Sequence, residues 1–570
     1  MIEIEVGLRD MKMKIGEYLL LRLRQIGVRH VFGVPGDFNL QLLEQFKAVD
    51  GLEFIGTCNE LNASYAADGY ARVNGIGALI TTYGVGDLSA ICGLAGACAE
   101  HVPIVMISGT PPLYAIESRL RMHHTLGEGN FDNVLVCMQQ FVCASVRLTP
   151  SNAADELDRV LLACRRDKLP VYIQVPSNIT WLEIDVPDNE LKFEMPASDE
   201  ERLESSLTRI FDLLENAKSP LMLIDADADR CGLAKGLYRI AKALSIPYIE
   251  SRTGKGIMPE RDPLYSGIYN GAGSAPNVIK AMNDTDCLIA TAPAFTEAST
   301  MAAPQSLPAQ ATIYIRDGSV VISGDVYEAV GSEELVDRLA EKICGEADVL
   351  STPVTPPKCR AAVSGKALTQ DWMWSRINHF LKDDDLVCAE NGTSLSALSG
   401  ERLPNGTLFI AQILWGAIGY SLPALLGAMT AADERRSILF IGDGSFQLTA
   451  QELSTILNRG LKPIIFVLNN EGYTIERYIL GMNSAYNDIA NWKYAQTPAV
   501  FAPEKDVFCV TVKTEDQLET ALSEAEKSKR AAVIELCLAR DDAPESLKKF
   551  CAMTAELDYG PRGPQRNGIK

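Results

Sequence analysis

A carboxylate stands between two glycines, Gly442-Asp443-Gly444, at the end of an apolar run in SILFIGDGSFQLT (437–449). The glycines admit close approach to the backbone, and the carboxylate suits a positively charged guest. Asn469 and Asn470 close the next apolar run, KPIIFVLNN, and Asn470 follows Asp443 by 27 residues. A strand–helix–strand unit would set these two strand ends side by side. A carboxylate, an amide oxygen and a free backbone carbonyl suit a hard octahedral cation such as Mg2+, with further ligands from a diphosphate. Backbone amides at the glycines can touch the phosphates. Taken singly, Asp443 also reads as a helix cap and Asn-Asn-Glu-Gly as a turn; the spacing and strand context together favour the cation. Other groups could move protons: Glu60 in FIGTCNELNASYAADGYAR, Asp37 in VFGVPGDFNL, the adjacent His123 and His124 in RMHHTLGEG, and Glu476 in EGYTIE. Each alone is equally a loop acid, a surface histidine or a helix N-terminal charge.

These residues sit at the ends of short apolar runs that alternate with longer helical patterns. The runs HVFGVPG, LEFIG, GALITTYG, PIVMISG and PVYIQVP come first, PLMLIDAD, DCLIATAP and ATIYIRD next, and LVCAENG, SILFIGDG, PIIFVLNN and AVIELCL last. Most are apolar on both faces and end in Gly, Asn or Asp, as parallel strands covered by helices do. Ligands of such sheets bind beyond the carboxyl ends of the strands. Two polar, proline-marked stretches, 182–201 and 351–368, divide the chain. The expectation is an α/β protein of three doubly wound parallel-sheet domains, 1–185, 196–350 and 366–570.

Composition narrows the class. The chain has 570 residues, 47% hydrophobic and 22% charged, and a formal charge of −21. Such acidity disfavours nucleic acid as a partner. Fourteen cysteines without a CxxC pair fit reduced thiols. The acidic N-terminus lacks a signal-peptide pattern, and no apolar run approaches the roughly 20 residues of a membrane span. A cytoplasmic protein that binds no membrane is expected.

The Gly-Asp-Gly…Asn-Asn pattern resembles the thiamine diphosphate motif, and ILWGAIGY (413–420) resembles the segment that holds the cofactor's aminopyrimidine. The resemblance implies Mg2+ on Asp443, Asn470 and the Gly472 carbonyl. It implies cofactor contacts from Thr393, Gly416, Ile418, Gly442, Gly444, Ser445, Tyr473 and Thr474. Glu60 would be a buried glutamate bonded to a pyrimidine nitrogen. With Asp37, His123, His124 and Glu476 added, the whole chain resembles the 2-oxo acid decarboxylases of the pyruvate and indolepyruvate decarboxylase kind. By that resemblance, Asp37 pairs with a histidine and serves protonation and aldehyde release, while Glu476 acts near the departing carboxylate. Ala298, Leu395, Ser396, Ile475, Ile479 and Phe550 would line a substrate pocket longer than pyruvate needs, suited to branched, medium-chain or aromatic 2-oxo acids. Two chains would complete each site, giving a homodimer or a dimer of dimers (a homotetramer). Asp227 stands where some fungal relatives carry a regulatory cysteine, with Cys231 later. Alternatives are a pyruvate decarboxylase, an acetolactate synthase-like carboligase and a non-catalytic regulatory relative. A nicotinamide enzyme ranks low, because NGIGAL, YGVGDLS and NGAGSAP lack the third glycine of a dinucleotide fingerprint.

Overall fold

The computed structural model describes residues 11–300, 311–345, 354–356, 358–432 and 434–566. Three main sheets organise them. The first has six parallel strands in the spatial order Glu53–Gly56, His30–Gly33, Gly77–Thr82, Ile104–Thr110, Val171–Pro176 and Ala144–Arg147. The third sheet repeats that arrangement with Leu408–Ile410, Leu386–Ala389, Ser437–Gly442, Ile464–Asn469, Ala531–Cys537 and Val507–Val512. Numbered along the chain, both run 2-1-3-4-6-5. Their central strands are buried along their length, which is why they read as unbroken apolar runs rather than as alternating ones.

The middle sheet differs from the all-parallel expectation at one edge. Tyr265–Tyr269, Tyr248–Ser251, Pro220–Ile224, Cys287–Thr291 and Thr312–Arg316 are parallel, but Ser319–Ile322 and Asp325–Glu328 continue as an antiparallel meander. The turns at Asp317-Gly318 and Ser323-Gly324 are too short for a helical crossover, so these strands can only reverse. A separate two-stranded ribbon pairs Met11–Lys14 with Glu183–Val186, antiparallel.

The chain forms two compact units. One comprises the chain up to Glu194 with Tyr420–Glu434 and Thr449–Leu461; the other comprises the remainder. In the first, helix Glu60–Asn74 lies against helix Ser421–Ala431 at backbone distance. A Cβ on Gly69 would overlap the Ala424 carbonyl, and one on Gly427 would overlap that of Ala66. Small residues are required here because nothing larger than hydrogen fits. The buried Tyr420 hydroxyl donates to Asp68 Oδ1 at 2.5 Å, and Arg72 bonds the same carboxylate oxygen and Glu100. This contact fixes the helix whose first residue is Glu60. Gly427→Ala should therefore destabilise the protein by roughly 1–3 kcal/mol, seen as an earlier thermal melt by circular dichroism. A melt superposable on wild type would contradict this packing.

Candidate active site

In the second unit, strand Ser437–Gly442 runs directly into helix Asp443–Thr449, so Asp443 sits at the strand's carboxyl end. The neighbouring parallel strand Ile464–Asn469 ends beside it, with Gly442 paired to Leu468. Asp443 is 1% exposed. Its Oδ1 accepts the Gly444 amide at 2.8 Å, and its Oδ2 accepts the Asn470 and Gly472 amides, each at 3.2 Å. Burial nevertheless pushes its pKa up to about 6, against the lowering effect of these amides. A cation beside the carboxylate would reverse that cost.

The adjacent asparagines divide their work. Asn469 Nδ2 donates to Glu535 Oε1 at 2.7 Å and Asn491 Oδ1 at 3.0 Å, so it anchors the strand. Asn470, 4% exposed, keeps a buried Oδ1 with no hydrogen-bond partner. Orphaned buried amide oxygens are costly unless something absent from the protein satisfies them. A hard cation held with the Asp443 carboxylate would be such a partner, and the chemistry of these oxygen donors fits Mg2+. Gly472 adopts φ +143°, and a side chain there would overlap the Asn487 carbonyl. Tyr473, whose amide bonds Asn487, lays its ring where a side chain on Gly444 would point. Thr474 is buried and bonds the Arg540 carbonyl; Ser445 is also buried.

Sequence reasoning missed the residue that holds this loop. Arg477, 2% exposed, donates to the carbonyls of Asn470, Glu471 and Asn487, and to Asp488 Oδ1 at 3.0 Å. Its helix, TIERYI, also carries Glu476, so no signal in the sequence marks this arginine as buried.

Thr393 begins the helix Thr393–Leu398 after strand Leu386–Ala389. Asn391 Nδ2 donates to the Gln412 carbonyl, and Gln412 Oε1 accepts the Ala417 amide, which ties Thr393's turn to the loop bearing Gly416 and Ile418. Ile418 is exposed, as are Leu414 and Trp415. Of the predicted pocket residues, Ile475, Ile479 and Phe550 share one apolar cluster with Leu547 and Cys551. Leu395 packs instead with Ala411 and Ile413. Ser396 is buried, its hydroxyl 2.9 Å from that of Ser546. Ala298 lies in helix Glu297–Thr300, but its side chain falls outside the described residues. Glu476 is exposed on helix Thr474–Ile479.

The first unit gathers three predicted groups. Asn39 stitches the loop after strand His30–Gly33 through Gly36 and Val34. This presents Asp37 to both histidines: Oδ2 lies 2.7 Å from His123 Nε2, and Oδ1 lies 3.8 Å from His124 Nε2. The Phe38 ring stacks on His123 and meets His124 edge-on. Glu60 is half-buried rather than buried, being the first residue of its helix, with Asn59 as cap. Beneath that corner lies Glu452, which sequence reasoning also missed. It is buried, accepts Asn62 Nδ2 at 2.7 Å and the Cys58 amide at 3.1 Å, and has its pKa raised by burial.

Three family profiles match the chain: thiamine pyrophosphate enzyme N-terminal TPP binding domain over residues 13–134, central domain over 207–343, and C-terminal TPP binding domain over 395–536. Curated relatives match over nearly the whole length. The pyruvate decarboxylase of Hanseniaspora uvarum is 36% identical over 557 residues, covering 95% of this chain and 98% of the relative. That of Aspergillus fumigatus is 36% identical over 566 residues (97% and 98%). The alpha-keto-acid decarboxylase of Mycobacterium avium is 36% identical over 553 residues (96% and 98%).

The Asp443 pKa carries a signed consequence. Its value in the folded, metal-free protein, about 6, lies above its ordinary 3.8. The ionised form therefore weakens the metal-free fold at neutral pH, and that penalty fades as pH falls through this window. Asp443→Asn should melt no lower than wild type without metal at pH 7, yet bind no Mg2+-dependent thiamine diphosphate by titration calorimetry. Retained cofactor affinity would remove Asp443 from the metal site.

Proposed function

Because the chain belongs to the thiamine diphosphate-dependent 2-oxo acid decarboxylases, we propose that it converts a 2-oxo acid larger than pyruvate to an aldehyde and CO2. Thiamine diphosphate is its cofactor, and Mg2+ is that family's usual partner ion. When bound, the cofactor supplies the electron sink for loss of CO2. The observation that carries the site reading is the orphaned Asn470 Oδ1, on the residue whose backbone amide bonds the buried Asp443 carboxylate.

In this reading Asp443, Asn470 and the Gly472 carbonyl hold Mg2+ and, through it, the diphosphate. Gly442, Gly444, Ser445, Tyr473 and Thr474 shape the phosphate seat. Thr393, Gly416 and Ile418 receive the aminopyrimidine, and the contiguous exposed side chains of Leu414, Trp415 and Ile418 support a surface that takes a ligand or a partner. Glu60 would face a pyrimidine nitrogen and hold or release a proton there. Asp37, His123 and His124 hold and deliver protons for aldehyde release as one coupled set; the 2.7 Å Asp37–His123 contact supports this. Glu476 acts near the departing carboxylate.

The protein is read as a homodimer or dimer of dimers; the exposed Leu414 and Trp415 in one unit, and Val85 and Leu88 in the other, support association. A cytoplasmic setting fits its fourteen free cysteines. Among the described residues no helix is long and apolar enough to cross a membrane.

Substrate size is read from residue types. Ala298 and Ser396 are taken to leave room, with Leu395, Ile475, Ile479 and Phe550 as apolar walls. Added methylenes each contribute roughly 1–3 kcal/mol of discrimination. A panel of 2-oxo acids with aldehyde detection should give higher kcat/KM for five- to nine-carbon substrates than for pyruvate. Ser396→Phe should reduce that ratio at least tenfold with thiamine diphosphate affinity retained. Preference of the wild type for pyruvate, the substrate named in several relatives, would overturn the size assignment and leave the decarboxylase reading in place. Absence of aldehyde from every substrate would overturn the reading itself.

A further inference from the structure

The Asp37–His123–His124 cluster has a property that proton transfer does not require. Its donor atoms, one from each side chain, all lie within 4.8 Å of one another. Among the described residues it is the one group of three His, Cys, Asp or Glu side chains so placed. The set is two imidazole nitrogens and one carboxylate oxygen, as at three-ligand zinc sites with an open fourth position. Ligands at about 2.0–2.1 Å in a tetrahedron stand about 3.3 Å apart. The carboxylate meets both rings, Oδ2 at 2.7 Å from His123 Nε2 and Oδ1 at 3.8 Å from His124 Nε2, so small side-chain adjustments bring one oxygen and two nitrogens to that spacing.

The cluster is also pre-organised. The His124 backbone is held at φ 59°, a left-handed conformation costly for a residue with a side chain. Its carbonyl approaches Gly84 so closely that a Cβ there would overlap it. Thr125 Oγ1 closes the following turn, donating to the Met122 carbonyl and accepting the Gly127 amide. Phe38 stacks on His123 at 4.9 Å between ring centroids and meets His124 edge-on at 6.0 Å. Both rings are thus fixed toward one carboxylate, so little ordering remains to oppose metal binding.

We propose that Asp37, His123 and His124 form a second metal site, selective for borderline divalent ions such as Zn2+ and separate from the oxygen site at Asp443. Selectivity follows from ligand type. Mg2+ takes oxygen donors and parts reluctantly from water, whereas imidazole favours Zn2+ and Co2+. The metal takes the Nε2 lone pairs of neutral imidazoles, so a proton on Nε2 moves to Nδ1 or leaves to solvent. A bound ion then occupies the groups assigned to proton delivery, and the site is inhibitory. Only this last consequence rests on the functional reading above.

The test uses the full chain with saturating thiamine diphosphate and Mg2+, so that the oxygen site is filled. Titration with Co2+ should give the intense visible absorption of one four-coordinate ion per chain, displaced by one equivalent of Zn2+. His123→Gln and His124→Gln should each weaken binding at least tenfold, with the circular dichroism spectrum and Mg2+ affinity unchanged; Asp37→Asn serves if either fails to fold. Micromolar Zn2+ should inhibit aldehyde formation, with recovery on chelation. Unchanged Co2+ binding in the variants, or sulfur-to-cobalt charge-transfer bands pointing to a cysteine site, would overturn the proposal. Stoichiometric binding by a protein inactive on every 2-oxo acid would leave the metal site standing and count against the decarboxylase reading alone.

Discussion

A carboxylate buried at the end of a parallel strand is unstable by itself. Asp443 collects amides from Gly444, Asn470 and Gly472, yet burial still outweighs them and favours its neutral form. Next to it Asn470 Oδ1 has no partner. Each group alone is costly, and in the proposed reading both are oxygen donors to one cation. The surroundings exist to hold this arrangement. The sheet sets the two strand ends in register, Asn469 pins one strand through Glu535, and Arg477 ties down the carbonyls that would otherwise let the loop move. Binding energy of the cation and diphosphate is then available to offset strain already built into the fold.

The groups proposed to handle protons depend on the same device, a loop at a strand end locked by one side chain. Asn39 does for Asp37 what Arg477 does for Asn470. Glu60 is set by a helix packed at backbone distance on Ser421–Ala431, with Glu452 bonded beneath its corner. The first and third sheets share one strand order, so one architecture positions the proposed acid–base groups in one copy and the proposed metal ligands in the other.

Much of this was legible before any coordinates. The buried central strands were visible because covering both faces demands continuous apolar runs. Asp443, Asn470 and Gly472 could be singled out because they lie close in sequence at two adjacent strand ends. What escaped notice was short, polar or tertiary. Edge strands such as Val507–Val512 and Ala144–Arg147 are only partly buried, and the second, ASVR, has no continuous apolar run. Helices Ser421–Ala431 and Glu452–Asn458, read as parts of the last domain, pack within the first unit. Arg477 and Glu452 look like surface charges, and only tertiary structure shows that they are buried. The near-coincidence of Asp37 with His123 and His124 was expected from resemblance alone, since no sequence spacing links residues 86 apart.

The central claim is that the orphaned Asn470 oxygen is a metal ligand and not a packing accident. Mn2+ in place of Mg2+ makes it measurable by electron paramagnetic resonance in the presence of thiamine diphosphate. The account predicts one bound Mn2+ per chain with phosphorus hyperfine coupling from the diphosphate, and loss of both in Asn470→Ala while Asp443 remains intact. An Asn470→Ala protein that binds Mn2+ and diphosphate as tightly as wild type, with the same coupling, would contradict it.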